Sequence, residues 1–259
     1  MKQLIRKLLG IKPPRVVAII PARMQSQRLP GKPVLPVNGK PMVSHVYSAC
    51  RNAGLSRRNV YVATDHSAIT DAMYRYGVPT VVTSAKHKSG TDRIIQAAKI
   101  LKLNDNDIVI NVQGDEPEMP PELIKQLISE MMETDCDIAT LQTPIKTAEE
   151  ALNPNVVKVI TTADNKALLF SRAAVPYLRT PLKQYKYYRH VGIYGYTVGA
   201  LKKYGALPTS SLEDVEQLEQ LRALEHGMSI KVVTACTEPC KGIDTEEDYR
   251  ELLKRTELS

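Results

Sequence analysis

After residue 15 the chain alternates short apolar runs with longer amphipathic stretches. Val16-Val17-Ala18-Ile19-Ile20 has no polar break and is too short for an ordinary helix, which predicts a buried strand. The same reasoning predicts strands at 16–20, 59–63, 79–82, 107–112, 137–143, 156–162, 190–198 and 230–235. Helices are predicted at 41–53, 66–76, 90–102, 120–134, 199–205, 212–226 and 245–255. Pro41 suits a first helical turn and Asp65 an N-cap. Gly54, Gly77 and Gly227 each follow a helical run, as helix stop signals do. Repeated strand–helix units predict an α/β fold, a mostly parallel sheet with helices on both faces.

The rhythm changes between 156 and 198. Residues 156–160 and 167–170 read as paired strands with Asp164-Asn165 as the turn. Five tyrosines lie between Tyr185 and Tyr196, a composition that suits a partner interface or a sugar site. This predicts a smaller lobe over roughly 153–225, within a single domain spanning 15–259. Leu212, Val215, Leu218 and Leu221 recur every three residues as one helix side, flanked by Glu219 and Gln220.

Composition narrows the functional classes. The 259 residues are 43% hydrophobic with no Trp, and Phe170 is the one Phe, so aliphatic side chains must fill a substantial core. The net charge is +7, but Lys2, Arg6, Lys7 and Lys12 lie in the first twelve residues with no acid among them. The body is therefore mildly basic, which favours small anionic ligands over a nucleic-acid footprint. Among Cys50, Cys136, Cys236 and Cys240 only the last two are close, and neither a disulfide framework nor a zinc site is indicated, so a cytoplasmic setting is expected. Residues 1–14 form a basic amphipathic extension. They are too short and interrupted to span a membrane; a helix packed on the body or frayed in solvent and a weak contact with a membrane surface are the two readings.

The densest chemistry lies in Pro21-Ala22-Arg23-Met24-Gln25-Ser26-Gln27-Arg28-Leu29-Pro30-Gly31-Lys32, directly after the first strand. Arg23, Arg28 and Lys32 bring three cations to one loop, and Gly31 would let the backbone approach an anion. A triphosphate needs that much charge. The loop is not a Walker A motif: Ser26 stands where the first Gly should be and Pro33 where the hydroxyl should be. A metal must then be held elsewhere. Asp115 lies just after the strand 107–112, at the carboxyl edge where α/β sheets bind ligands, and is a natural Mg²⁺ ligand. Asp244 precedes the last helix and reads equally well as a cap or a second ligand. Ser89-Gly90-Thr91-Asp92-Arg93 and Ala63-Thr64-Asp65 could cap helices or read a base. Arg172, at a strand end, suits a carboxylate or a surface ion pair. His190 and Tyr194 suit a polyol or ordinary strand hydrogen bonds.

Together these segments resemble the 3-deoxy-D-manno-octulosonate (Kdo) cytidylyltransferase family. The resemblance rests on I-P-A-R-x-x-S-x-R-L-P-G-K-P at 20–33, N-G-K-P-M at 38–42, V-A-T-D-H at 62–66, S-G-T-D-R at 89–93 and N-V-Q-G-D-E-P at 111–117. It continues in N-P-N-V-V-K-V at 153–159, F-S-R at 170–172, R-H-V-G-I-Y-G-Y at 189–196, L-E-Q-L-R at 218–222 and G-I-D-T-x-E-D at 242–248. It implies a Rossmann-like nucleotide-diphospho-sugar transferase fold, a homodimer, and transfer of CMP from CTP to Kdo in lipopolysaccharide biosynthesis. It further implies that Arg23, Ser26, Arg28 and Lys32 hold the CTP phosphates, that Ala63, Asp65 and Arg93 place cytosine, and that Asp115 and Asp244 share Mg²⁺. Gln113, Arg172, His190, Tyr194, Glu219 and Gln220 would hold the sugar acid, with Arg172 on its carboxylate. Asp92 and Glu246 depart from the family's usual Glu and Pro. The alternatives are a cytidylyltransferase for 8-amino-Kdo or sialic acid, and a non-catalytic nucleotide-sugar binder.

Overall fold

A computed structural model describes residues 12–26, 28–87, 89–179 and 186–257. Most of the predicted extension, residues 1–11, and Tyr185 lie outside the described residues. The strands are β1 (Val16–Pro21), β2 (Pro36–Val37), β3 (Lys40–Pro41), β4 (Val60–Thr64), β5 (Thr80–Val82), β6 (Ile108–Asn111), β7 (Ile138–Pro144), β8 (Lys158–Thr161), β9 (Ala167–Ser171), β10 (Tyr188–Thr197) and β11 (Lys231–Thr234).

The main sheet has the order β11-β7-β10-β6-β1-β4-β5. β1 pairs in parallel with β4 and β6, β4 with β5, and β7 with β11. β10 runs antiparallel to both β6 and β7, so it alone points against the others. Residues 153–225 contribute β10 to the middle of this sheet and the antiparallel β8–β9 pair that branches from it. β2 and β3 form a separate small hairpin.

The double-sided burial follows from the apolar strands. Val17 and Ile19 of β1 pack on one face, with Ile94 and Ala97 of the helix Gly90–Ile100 and Leu201 of the helix Val198–Ala206. Ala18 and Ile20 pack on the other, with Val43 and Val46 of the helix Met42–Asn52 and Leu123 and Leu127 of the helix Pro121–Glu133. Period-two alternation along one strand thus feeds two cores. A third cluster of Leu29, Val37, Met42, Ile243 and Leu252 joins the loop after β1 to the last helix, Glu246–Glu257.

Several local expectations change. The helix predicted over 212–226 is two helices, Ser211–Glu216 and Gln220–Glu225, because Gln217 takes a left-handed conformation with φ 52°. The predicted stripe is split accordingly: Leu218 and Leu221 are buried, whereas Val215 is 82% exposed. Asp65 is not an N-cap. His66 caps the helix Ser67–Arg75 by accepting the Ala68 N–H at 3.2 Å, which leaves Asp65 for another partner. Gly31 serves through its left-handed φ of 69°, where L side chains are strained, and not through close approach: a Cβ there would meet only Met24 Cε at 3.8 Å. A single 3₁₀ turn, Lys32–Val34, follows it, and the helix starts only after the β2–β3 hairpin. Gly54, Gly77 and Gly227 all have positive φ at helix ends.

Candidate active site

β1 and β6 are parallel neighbours, so the loops that follow them leave the same edge of the sheet. They also touch. A Cβ on Gly114 would come within 2.7 Å of the Pro21 carbonyl oxygen, so only glycine lets the two loops pass this closely. The Ala22 N–H donates to the Ala63 carbonyl at 2.9 Å and anchors the first loop to β4. Ser26 Oγ accepts the Leu29 N–H at 3.3 Å and shapes its bend.

Between these loops lies a cleft of ≈ 420 Å³. It is lined by Arg23, Ser26, Arg28 and Lys32 from the first loop, Gln113 and Asp115 from the second, and Asp244. Four residues read as phosphate ligands and both predicted metal ligands therefore share one cavity. Lys32 Nζ stands 2.6 Å from Asp115 Oδ2 and 3.1 Å from Asp244 Oδ1, and Arg28 reaches Asp244 Oδ2 at 3.1 Å. Burial works against the charged Lys32 ammonium, but Asp115 and Asp244 outweigh it and hold its pKa above the usual value. Behind them, burial and the neighbouring Asp115 push the Glu116 carboxyl up to about 8.

The alternative reading of Asp244 as a cap does not hold. Thr245 Oγ1 accepts the Asp248 N–H, while the Asp248 carboxylate accepts the N–H groups of Asp244 and Thr245, so the last helix is capped without the Asp244 side chain. The Ile243 N–H donates to the Asp115 carbonyl at 2.9 Å and fixes the two acidic loops against each other. Two carboxylates converging on one cationic point are a hard-oxygen pair of the kind Mg²⁺ takes. Among the described residues no group of three or more metal-ligating side chains forms, so phosphate and water oxygens would complete such a shell.

The sugar-side candidates fall into two chambers. One, ≈ 280 Å³, is lined by Gln113, His190, Tyr194, Glu219 and Gln220, together with Thr91, Asn111, Tyr196 and Tyr204. The other, ≈ 630 Å³, is lined by Arg172, Arg189, Asn155 and Lys241, and shares Arg28 and Asp244 with the phosphate cleft. His190 and Gly192 belong to both. Gln113 Nε2 donates to the Gly192 carbonyl at 3.2 Å, and Gln113 lines both the phosphate cleft and the smaller chamber. Glu219 accepts Thr91 Oγ1 at 2.6 Å, and Tyr204 donates to the Glu219 carbonyl at 3.0 Å.

His190 is tied to the strand behind it. Thr140 Oγ1 donates to the carbonyls of Ile193 and Val191, at 2.8 and 3.1 Å, and lies 3.1 Å from His190 Nε2. Burial lowers the imidazole pKa to about 3 and keeps the ring neutral.

Asp65 and Arg93 meet at 3.0 Å, and Arg93, 1% exposed, also donates to Thr83 Oγ1. Burial lowers the Arg93 pKa and Asp65 opposes that. With fully buried Ala63 they stand behind the first loop and do not line the phosphate cleft. Thr140, Lys158, Glu213 and Glu216 are important residues that the sequence pattern does not single out. Only Lys158, a charge inside an apolar run, carries a local signal.

The family model described as cytidylyltransferase matches residues 17–230. A 3-deoxy-manno-octulosonate cytidylyltransferase of Serratia proteamaculans (strain 568) is 44% identical over 240 residues, covering 90% of this chain and 96% of that protein. One from Pseudoalteromonas translucida (strain TAC 125) is 42% identical over 244 residues, covering 92% and 96%. A solved structure of CMP:2-keto-3-deoxy-manno-octonic acid synthetase complexed with CTP superposes with a TM-score of 0.88 at 37% identity, covering 94% of this chain and 99% of that one.

Proposed function

Since the chain belongs to the 3-deoxy-manno-octulosonate cytidylyltransferase family, we propose that it transfers CMP from CTP to the anomeric hydroxyl of Kdo, releasing pyrophosphate. The observation that carries this reading on the chain itself is the convergence of Arg23, Arg28, Lys32, Asp115 and Asp244 on one cleft. The sugar oxygen attacks the α-phosphorus, the bond from that phosphorus to the α–β bridging oxygen breaks so that pyrophosphate leaves with that oxygen, and the hydroxyl proton passes to solvent water. Charge grows on the departing pyrophosphate, where Lys32 and Arg23 stabilise it. Mg²⁺ held by Asp115 and Asp244 would supply Lewis-acid polarisation and neutralise phosphate charge.

Arg172 takes the acceptor's carboxylate in the larger chamber. Gln113, Tyr194, Glu219 and Gln220 take its hydroxyls in the smaller one, and the neutral His190 lines both chambers at their junction. Among the described residues the smaller chamber is lined by Glu219 and by no Lys or Arg, which suits an uncharged polyol better than a carboxylate. Asp65 and Arg93 back the wall that faces cytosine. Acceptors such as 8-amino-Kdo or sialic acid are not favoured, and the presence of both aspartates counts against a non-catalytic binder.

Lipopolysaccharide biosynthesis in the cytoplasm is the setting proposed. No helix among the described residues is long and apolar enough to cross a membrane. A homodimer is proposed as well. Leu152, Leu168, Tyr177, Leu212 and Val215, all within 152–215, are large apolar side chains left exposed on the single chain. Contact of residues 1–14 with an anionic membrane surface is a further part of the proposal, tested by vesicle binding of full-length and truncated protein. Pyrophosphate release from CTP, measured with Kdo, 8-amino-Kdo and sialic acid, tests the reaction. Release with Kdo is expected; no release with any of the three overturns the reading.

A further inference from the structure

β8 pairs with β10 at one position, Lys158, which lies opposite Arg189 of β10 and also opposite Ser171 of β9. Its side chain is wholly buried, and its ammonium donates to three main-chain carbonyls, of Asn153 at 2.9 Å, Val156 at 2.6 Å and Arg172 at 2.6 Å. A buried ammonium is costly, and an aliphatic side chain would pack there without that cost. The compensation is that three carbonyls, of which that of Asn153 also accepts the Val156 N–H at 3.1 Å, are gathered onto one point. All three belong to the immediate surroundings of Arg172.

The Arg172 guanidinium is held by the same backbone. Nη1 donates to the Pro154 carbonyl at 3.0 Å, within the turn that Lys158 ties at Asn153 and Val156. Nε donates to the Glu216 carbonyl at 2.8 Å. The Glu216 carboxylate accepts the Arg172 N–H at 2.8 Å and Ser171 Oγ at 2.6 Å. Arg172 is thus fixed from two sides, by Lys158 at its carbonyl and by Glu216 at its N–H. Nη2 donates to the Gln217 carbonyl at 3.5 Å, and Arg172 lines the larger chamber together with Asn153, Asn155 and Val156.

We propose that Lys158 is a positioning residue for the acceptor: through the 153–156 turn and the Arg172 carbonyl it aims the arginine fork at the sugar acid's carboxylate. This rests on the reading of Arg172 as the carboxylate ligand. Lys158 touches no substrate. Its effect is therefore confined to the acceptor side and leaves the CTP cleft, built on other strands, undisturbed.

The test is steady-state pyrophosphate release by the full chain with CTP and Kdo. Lys158→Met should raise KM for Kdo about 10- to 100-fold, as misplacement of a binding group does, with KM for CTP within about twofold. In an Arg172→Ala background the same change should add little, because both act through one fork. A loss of stability alone would not produce this split. Lys158→Gln, which keeps two N–H donors, carries the same comparison if the Met variant does not fold, with a smaller rise expected. The proposal is overturned if both KM values move together, if KM for Kdo stays within about twofold, or if the effect adds in full to Arg172→Ala. A wild-type chain inactive with Kdo overturns the functional reading instead, which separates the two failures.

Discussion

The Lys32 ammonium lies 2.6 Å from Asp115 Oδ2, occupying the point on which Asp115 and Asp244 converge. A divalent ion shared by those carboxylates needs the same space, and two cations cannot share it. If such an ion entered with CTP, Lys32 would have to turn toward the phosphates. Mn²⁺ titrated calorimetrically into the nucleotide-free protein should bind at least about 10-fold more tightly to Lys32→Met than to wild type, because a competing charge is gone. Equal affinities would show that Lys32 does not guard the site.

Asp115→Asn and Asp244→Asn should each lose more than about 100-fold in kcat, the scale of a lost charge-stabilising partner, with an unchanged circular dichroism spectrum. The two should differ in KM for CTP. Arg28 pairs with Asp244 and not with Asp115, so Asp244→Asn alone releases it. A near-normal rate for either variant would remove that residue from the proposed metal pair.

His190 predicts an acid limb in stability. Its folded pKa, about 3, lies below the ordinary histidine value of 6.5. Between those values the unfolded chain binds a proton that the folded chain refuses, so stability falls as pH drops from 6.5 toward 3 and is unaffected above it. His190→Gln should flatten the wild-type decline of Tm between about pH 6 and pH 4 by one proton's worth of slope. Parallel profiles would contradict a buried neutral ring.

The Glu213 carboxylate accepts Arg222 Nε and Nη2 at 2.7 and 2.6 Å, and both side chains are nearly buried. Glu213 also completes a capping box with Ser210, and Arg222 lies 4.8 Å from the Tyr204 ring centroid. Breaking such a pair leaves a buried charge, so Glu213→Ala should cost about 3–5 kcal/mol in urea unfolding. Glu213→Ala with Arg222→Ala should cost less than the sum of the two. Full additivity would mean that the pair does not couple.

What was legible in the sequence followed from local rules. The apolar run 16–20 and the cations of 23–32 declared a strand edge carrying anion ligands, and Asp115 was placed there by its own strand. Asp244 was not legible by pattern, since its meeting with Lys32 spans 212 residues and its neighbours look like a helix cap. Only the resemblance assigned it. The break at Gln217 escaped because a non-glycine residue takes a left-handed conformation there. Lys158 escaped for another reason: a charge in a strand normally points to water, whereas here main-chain carbonyls gather around it.

The clasp between Asp115 and Ile243 also makes the cleft a composite of two distant stretches of chain. The first-loop cations and Asp115 come from the strand edge of the sheet, whereas Asp244 arrives with the segment before the last helix. That segment is held by Ile243 and Leu252 in one apolar cluster with Leu29. The second carboxylate of the cleft is therefore only as well placed as that remote hydrophobic cluster is well packed.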